Sequence, residues 1–193
     1  MPFRTILLFG APGAGKGTQG KILGAIPGFF HCACGDVFRG LAPDSPLGRA
    51  FLQYSSRGEL VPDETTVAVW RDYVARAIAG GKFHPDRDTL VLDGIPRNVA
   101  QAEILADTLH IVAMLYLVCR DFEKLVVRLQ RRALHENRLD DANGDVIRQR
   151  FKTYEQETAP VVKFYGQSLV HEIDATQTPI QVLRDILRHI DKL

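Results

Sequence analysis

The sequence lacks an excess of either charge. Its 24 basic and 23 acidic residues leave a formal net charge of +1, and both signs are mixed along all 193 residues. A chain without a basic stripe is poorly suited to follow a nucleic-acid backbone or an anionic membrane surface, so we expect neither partner. Any anionic ligand must therefore be bound locally, by a few well-placed groups.

Long apolar runs are also lacking. The opening MPFRTILLFG holds an arginine and an apolar run too short for a signal-peptide core. No later run approaches the ~20 apolar residues that a membrane-spanning helix needs. We therefore expect a cytoplasmic protein, and because no segment reads as a partner-binding helix, we expect a monomer.

Cysteines are few and unevenly placed. Cys32 and Cys34 lie close together in HCAC, whereas Cys119 ends an apolar run far downstream. No second ligand pair follows at the spacing of a zinc site, and disulfides are rare in cytosolic proteins. The sequence thus predicts neither a structural zinc nor a disulfide.

Short apolar runs alternate with longer amphipathic stretches. The apolar runs are RTILLFG, GFFHC, DTLVLDG, HIVAMLYLVC and LVHEIDA. This alternation predicts an α/β fold with a five-stranded parallel sheet and helices on both faces. Two stretches break the rhythm: a strand-free region with two helical patterns before DTLVLDG, and the polar ALHENRLDDANGD, which suits a short flap.

The stretch LLFGAPGAGKGTQG is a glycine-rich turn between a predicted strand over residues 3–9 and a predicted helix over residues 16–25. Its glycines allow backbone N–H groups to converge on an anion, the helix N-terminus faces that anion, and Lys16 adds a full charge. A triphosphate is the ligand that best uses these groups. The turn departs from the common motif because Gly17 occupies the hydroxyl position and Thr18 follows one residue late. A purely structural glycine turn is the alternative.

The form of this loop and four later segments resemble the adenylate kinase branch of the nucleoside monophosphate kinases. The later segments are CGDVFR, GELVPDE, LDGIPRNVAQAE and RLDDANGDVIRQR, in the family's order. The resemblance implies a P-loop nucleoside triphosphatase-like fold that transfers a phosphoryl group from MgATP to AMP, giving two ADP. It implies one domain over residues 1–193, with a helical AMP-binding insert at about 33–62 and a short lid at about 131–141.

The resemblance also assigns roles to individual residues. The ATP site would comprise Gly13, Ala14, Gly15, Lys16, Gly17, Thr18, Arg128 and Gln177. The AMP site would comprise Cys34, Arg39, Glu59, Leu60, Val61, Gly94, Ile95, Pro96, Arg97, Gln101, Arg138 and Arg150. The catalytic cations would be Lys16, Arg97, Arg132, Arg138 and Arg150, and Asp93 would hold Mg²⁺ through water.

These assignments suit the chemistry of phosphoryl transfer, in which the protein mainly positions groups and neutralises charge. Guanidinium groups bind phosphate oxygens in a bidentate manner, and Arg128 and Arg132 lie one helical turn apart. A solvated basic face is the alternative for RLQRR. For Asp93 the alternative is an N-cap of the next helix. No general base is expected, because a phosphate monoester with a second pKa near ~6 is mostly dianionic at neutral pH.

The identity of the acceptor depends on a few positions. Gln101 is the best candidate to read adenine, since an amide offers a donor and an acceptor; an exposed helix residue is the alternative. A UMP/CMP kinase is the rival enzyme, favoured by Cys34 and by the asparagine in PRN. A non-catalytic ATP/AMP-sensing module is the rival from another class. The full arginine set argues against it, because several cations aimed at the transferring group stabilise a transition state better than a ground state.

Cys34 itself carries a separate expectation. It stands just before a predicted helix and near the expected phosphate-binding arginines, and both features lower the pKa of a thiol. The sequence therefore predicts a reactive Cys34 that AMP protects from alkylation. A buried, inert thiol is the alternative.

Overall fold

The computed structural model describes residues 1–136 and 138–193. Its sheet has five parallel strands in the spatial order β2-β3-β1-β4-β5. The strands are β1 (Phe3–Gly10), β2 (Phe29–Ala33), β3 (Thr89–Asp93), β4 (Leu109–Val118) and β5 (Val170–Asp174). The predicted α/β fold with a five-stranded parallel sheet is confirmed.

Helices connect the strands. They are α1 (Lys16–Leu23), α2 (Cys34–Arg39), α3 (Pro46–Ser55), α4 (Asp63–Ala79), α5 (Val99–Leu105), α6 (Phe122–Glu136), α7 (Gly144–Thr153), α8 (Pro160–Tyr165) and α9 (Pro179–Ile190). Two 3₁₀ turns, Leu139–Asp141 and Gln167–Leu169, and one π-helical turn, Tyr154–Thr158, complete the path. None of the helices in the described ranges combines the length and the apolar character needed to span a membrane.

The central strand β1 shows that both faces of the sheet are covered. Ile6 and Leu8 belong to a buried cluster that includes side chains of α1, α6, α7 and α9. Leu7 and Phe9 point the other way, into a cluster with side chains of α2, α4, α5 and α8. Because alternate residues of a strand face opposite sides, the continuous apolar run over residues 6–9 requires helices on both faces. The predicted two-sided cover is confirmed.

Two elements differ from the sequence prediction. Between β2 and β3, the helix predicted next to Cys34 is α2, which follows β2 directly and is 6 residues long, and α3 and α4 are the two predicted helical patterns. Helix α8 was not predicted, because it is a short continuation of the π-helical turn. Helix α1 ends at Leu23 rather than at residue 25, where the N–H of Gly24 caps it by bonding to the Gly20 carbonyl. The insert and lid boundaries stay predictions, and Asn137 of the predicted lid lies outside the described residues.

The strand order decides where a ligand can enter. The chain leaves the central strand β1 for β2 and β3 on one side, and then crosses to β4 on the other side. In open parallel sheets, ligands bind in the crevice at such a reversal, outside the carboxyl ends of the strands. Here Gly10 ends β1 and Asp93 ends β3, so the glycine loop and this carboxylate share one edge of the sheet.

Candidate active site

The glycine loop passes between β4 and α6 with almost no room for side chains. Gly10 has a φ of 142°, and a Cβ atom there would lie 2.5 Å from the Leu117 carbonyl oxygen. Gly13 has a φ of 82°, and its Cβ atom would lie 2.8 Å from the Leu125 carbonyl oxygen. Both conformations favour glycine, and both contacts exclude a larger residue. These two glycines therefore hold the loop at the sheet edge through close backbone packing.

Lys16 begins α1 and folds back over the loop. Its Nζ donates to the Gly10 carbonyl at 2.7 Å and to the Ala11 carbonyl at 3.1 Å. Burial lowers the pKa of Lys16 to about 8; Asp93 acts in the opposite sense, and the Arg97 charge lowers the pKa further. An anion close to the ammonium group would relieve this cost. Lys16 is thus a buried ammonium group that a bound anion would stabilise.

Asp93 is a single carboxylate beside the loop. It is 9% exposed, and its Oδ2 lies 3.9 Å from the position that a Cβ atom on Gly17 would take. Its alternative role as an N-cap is wrong, because Asn98 caps α5. Within residues 1–136 and 138–193, no group of three or more His, Cys, Asp or Glu residues is placed to hold a metal ion. One carboxylate next to a phosphate site fits Mg²⁺, which keeps several waters and binds through substrate phosphates.

Two arginines on α6 and α7 are held by carboxylates of the turn between these helices. Arg132 Nε lies 2.6 Å from Asp141 Oδ2, and Arg150 Nη1 lies 2.7 Å from Asp140 Oδ2 and also contacts Asp141. Asp141 is fully buried. Neither aspartate was predicted as a site residue, although the two adjacent aspartates in RLDDANGDVIRQR were a usable signal. These carboxylates fix where the two guanidinium groups point.

A further carboxylate, that of Asp36, joins two more of the predicted arginines. Asp36 Oδ1 accepts from Arg39 Nη2 at 2.7 Å and from Arg138 Nη2 at 3.1 Å, and Arg138 Nε lies 2.6 Å from Glu136 Oε2. Arg39 belongs to α2, whereas Arg138 follows α6, so the contact connects distant parts of the chain. Asp36 and Glu136 were not predicted as site residues.

Burial and neighbouring charges shift the pKa values of three arginines of the site. Burial, with the charges of Arg132 and Arg39, lowers the pKa of Arg138, and burial also lowers the pKa of Arg150. Burial by itself would lower the pKa of Arg132, but the hydrogen bond and the charge of Asp141 raise it. Within the described part of the chain, Arg132 Nη2 is buried without a hydrogen-bond partner. A buried donor of this kind calls for an acceptor, and a phosphate oxygen would supply one.

Gln101 is buried and bonded, so the alternative of an exposed helix residue is wrong. It is 1% exposed; its Oε1 accepts from the Arg97 backbone N–H at 2.7 Å, and its Nε2 donates to Asp63 Oδ1 at 2.7 Å. Asn98 also has both amide atoms engaged, because Oδ1 accepts from Gln101 N and Nδ2 donates to Asp63. The asparagine of PRN therefore caps α5, and it no longer favours a pyrimidine acceptor.

The prediction of a reactive Cys34 is wrong. Helix α2 does begin at Cys34, but the side chain is 2% exposed. Burial raises its pKa to about 11, because desolvation outweighs the opposing charge of Arg97. A thiol with so high a pKa is almost wholly protonated at neutral pH.

We expect brief alkylation at neutral pH to label Cys119 before Cys34. Cys119 is partly exposed, whereas Cys34 is buried and protonated. Peptide mapping after a short exposure to iodoacetamide measures both rates in one sample, with Cys32 as a buried internal control. Faster labelling of Cys34 that AMP slows would restore the sequence-based expectation.

Every residue that the sequence assigned to the site lines one cavity of about 820 Å³. The lining residues are the loop, Lys16, Arg128, Gln177, Cys34, Arg39, the Glu59 to Val61 stretch, the Gly94 to Arg97 stretch, Gln101, Arg132, Arg138, Arg150 and Asp93. Tyr154, Arg131 and Glu136 line it as well and were not predicted. Two phosphate-rich ligands can thus approach each other within one cavity.

Comparison with known proteins agrees with this arrangement. A family model described as adenylate kinase matches residues 8–170. The chain belongs to the adenylate kinase family. It is similar to an adenylate kinase of Thermobifida fusca, with 41% identity over 88% of this chain and 89% of the relative. An adenylate kinase of Flavobacterium johnsoniae is 37% identical over 97% and 98% of the two chains.

A vertebrate relative matches over the same extent. Adenylate kinase isoenzyme 1 of Gallus gallus is 32% identical over 98% of this chain and 95% of its own length. The family resemblance therefore extends over nearly all of the chain and not only over the glycine loop and the sheet. Because these adenylate kinases are matched over nearly their whole length, the comparison concerns the complete cavity and not the glycine loop alone.

Proposed function

We propose that this member of the adenylate kinase family reversibly transfers a phosphoryl group from MgATP to AMP, giving two molecules of ADP. One observation carries the proposal: Lys16 and the arginines at positions 97, 132, 138 and 150 line a single cavity at the carboxyl edge of the sheet. Transfer between two nucleotides gathers more negative charge than either nucleotide alone, and such a cluster of cations suits it.

The donor nucleotide would bind at the glycine loop. Backbone N–H groups of residues 13–18 and the N-terminus of α1 would hold its phosphates. Lys16 Nζ would exchange the Gly10 and Ala11 carbonyls, which it now contacts, for β- and γ-phosphate oxygens. Arg128 and Gln177 would border the rest of the donor, at the part of the cavity that they line.

The acceptor would bind between α2, α4 and α5. Arg39 and Arg97 would bind its phosphate, and Gln101 would pair with its base. Cys34 and the stretch Glu59, Leu60 and Val61 would border the base, while Gly94, Ile95 and Pro96 would carry Arg97 into place. Arg97 Nε already donates to the Gly94 carbonyl at 2.9 Å, which orients the guanidinium.

The transfer itself requires charge stabilisation and the exclusion of water. Arg132, Arg138 and Arg150 would surround the moving phosphoryl group, each leaving part of its bonding to Asp36, Asp140, Asp141 or Glu136. Asp93 would hold Mg²⁺ through water, and the metal would neutralise β- and γ-phosphate oxygens. The acceptor phosphate needs no general base at neutral pH.

The insert at 33–62 and the lid at 131–141 would close over both nucleotides. We further propose that the protein is cytoplasmic and monomeric.

An acceptor screen tests this function directly. The chain is incubated with MgATP and, in turn, AMP, CMP, UMP and IMP, and ADP formation is followed by a coupled assay. We expect AMP to give the highest kcat/KM, and metal chelation to stop the reaction. A preference for CMP or UMP would identify a pyrimidine kinase. Binding of ATP and AMP without turnover would identify a sensing module.

The pH dependence of donor use follows from the pKa of Lys16. In the free protein this pKa is lowered to about 8, so Lys16 loses its charge as the pH rises through that value. We expect kcat/KM for ATP, which reports groups of the free enzyme, to fall above about pH 8. The same profile measured for Lys16→Met, on its residual activity, should lack this fall. An equal fall in both proteins would assign it to another group.

Gln101→Ala should relax the choice of acceptor. We expect the AMP preference over CMP to fall by about 1–3 kcal/mol in terms of kcat/KM, the scale of one bidentate amide–adenine pair. Gln130→Ala is a matched control, since Gln130 is exposed on α6. An unchanged AMP to CMP ratio in Gln101→Ala would mean that the adenine is read elsewhere, for example by the backbone of residues 59–61.

A further inference from the structure

Asp63 contacts Gln101 from behind the cavity. It is the first residue of α4, and it is absent from the cavity lining. Its Oδ1 nevertheless accepts two hydrogen bonds from the acceptor side of the site, from Gln101 Nε2 at 2.7 Å and from Asn98 Nδ2 at 2.9 Å. Neither the glycine loop nor the arginines take part in this contact. Asp63 therefore contacts the site through the two amide side chains that it holds.

The orientation of the Gln101 amide follows from these bonds. A glutamine amide can rotate by half a turn and exchange its oxygen and its nitrogen with little change in shape. Here a carboxylate, which only accepts, faces one end, and the backbone N–H of Arg97, which only donates, faces the other. Both partners require the NH₂ group on the side of Asp63 and the oxygen on the side of Arg97. In a rotated amide, the oxygen would face the Asp63 carboxylate and the NH₂ group would face the Arg97 N–H. Both hydrogen bonds would be lost, and both contacts would become repulsive.

This orientation matters for the base that the amide would read. The two bonds use one of the two N–H groups and one of the two lone pairs, so one donor and one acceptor remain. Adenine presents an N6 donor and an N1 acceptor, whereas hypoxanthine presents an O6 acceptor and an N1–H donor at the same positions. An amide fixed in one orientation can match only one of these patterns, and a freely rotating amide can match both.

We propose that Asp63 is a positioning residue that selects the acceptor base by fixing the orientation of the Gln101 amide. The proposal rests on the proposed function and goes beyond it, because it places part of the base selectivity on a residue that does not contact the nucleotide. Asn98 supports the arrangement: it caps α5 and ties that cap to Asp63, which holds Gln101 at a constant distance from α4.

A purely structural role of Asp63 is the competing explanation. Acidic residues in the first turn of a helix stabilise it through the helix dipole, and Asp63 and Glu64 both occupy that turn of α4. Glu64 is exposed, so Glu64→Gln removes the same charge from the same turn without touching Gln101. This variant is the matched control for the loss of Asp63.

The experiment compares AMP with IMP as acceptors in four proteins: the parent, Asp63→Ala, Asp63→Asn and Glu64→Gln. We expect Asp63→Ala to lower the AMP to IMP ratio of kcat/KM by about tenfold, within the range that one amide–base pair supplies. The change should lie in KM for the acceptor, with KM for ATP unaltered. Asp63→Asn keeps an accepting oxygen and should retain most of the ratio, and Glu64→Gln should retain all of it.

A double substitution distinguishes positioning from simple loss of folded protein. In a Gln101→Ala background, adding Asp63→Ala should leave the AMP to IMP ratio unchanged, because the group that Asp63 orients is already absent. A ratio that Asp63→Ala leaves unchanged in the parent background, or lowers equally in both backgrounds, overturns the inference. If the parent itself fails to phosphorylate AMP, the proposed function is wrong and the inference falls with it; an active parent with an unaltered ratio removes only the inference.

Discussion

Replacing Lys16 by methionine should lower kcat for ADP formation on the order of 100-fold to 1000-fold, the cost of removing one donor aimed at developing charge. The Nζ group already lies within 3.1 Å of two loop carbonyls, and phosphate oxygens would take over these contacts in the complex. Methionine has a similar length but no charge, so the backbone of the loop is preserved while the contact to the β- and γ-phosphates is lost.

The fold should survive this change. The pKa of Lys16 in the folded protein, about 8, lies below its ordinary value of 10.5. The folded state therefore binds the Lys16 proton more weakly than the unfolded state does, and burying the charge costs stability at every pH below about 8. This cost disappears as the pH rises towards 10.5. At pH 7, methionine removes the cost, so the melting temperature should not fall.

Lys152→Met serves as the control for Lys16→Met, because Lys152 is exposed on α7 and does not line the cavity. Coupled assays and thermal unfolding of both variants separate catalysis from folding. A turnover of Lys16→Met within threefold of the parent would refute the assignment of the glycine loop as the donor site.

Arg138→Ala should lower kcat by about 100-fold or more while changing KM for AMP far less, as expected for a cation that acts mainly on the transferring group. Only 12% of the Arg138 side chain is exposed, and its pKa is lowered by burial and by the neighbouring charges of Arg132 and Arg39. A phosphoryl group in transit would offset the repulsion among these arginines. Alanine carries no charge and could not stabilise that group.

Position 138 is a cleaner test of catalysis than positions 132 or 150. Loss of Arg138 leaves Asp36 and Glu136, whose side chains are 43% and 39% exposed and remain hydrated. Loss of Arg132 or Arg150 would instead take a partner from Asp141, which is fully buried, and such a change destabilises the fold.

The control for Arg138→Ala is Arg148→Ala. The Arg148 side chain is 69% exposed and pairs only with Asp145 among the described residues. We expect it to keep the kinetic constants of the parent. An Arg138→Ala protein whose KM for AMP rises as much as its kcat falls would show that Arg138 binds the acceptor in the ground state.

The sequence by itself determined the sheet and the position of the glycine loop. Apolar runs bounded by turn residues have the length and pattern of buried strands, and a glycine loop before Lys16 follows from local backbone requirements. Helix ends were less predictable. Helix α1 ends at Leu23 rather than at residue 25, and α8 continues a π-helical turn that has no distinct sequence signal.

Only the tertiary structure decided how the site residues are held. Gln101 lies 38 positions from Asp63, and Arg138 lies 102 positions from Asp36, yet each pair forms a hydrogen bond. The motif around Cys34 predicted a lowered pKa from the helix and the arginines, but burial reverses the direction. The physical reason is that local sequence sets backbone conformation and residue type, whereas burial, charge pairing and amide orientation depend on groups that distant segments bring together.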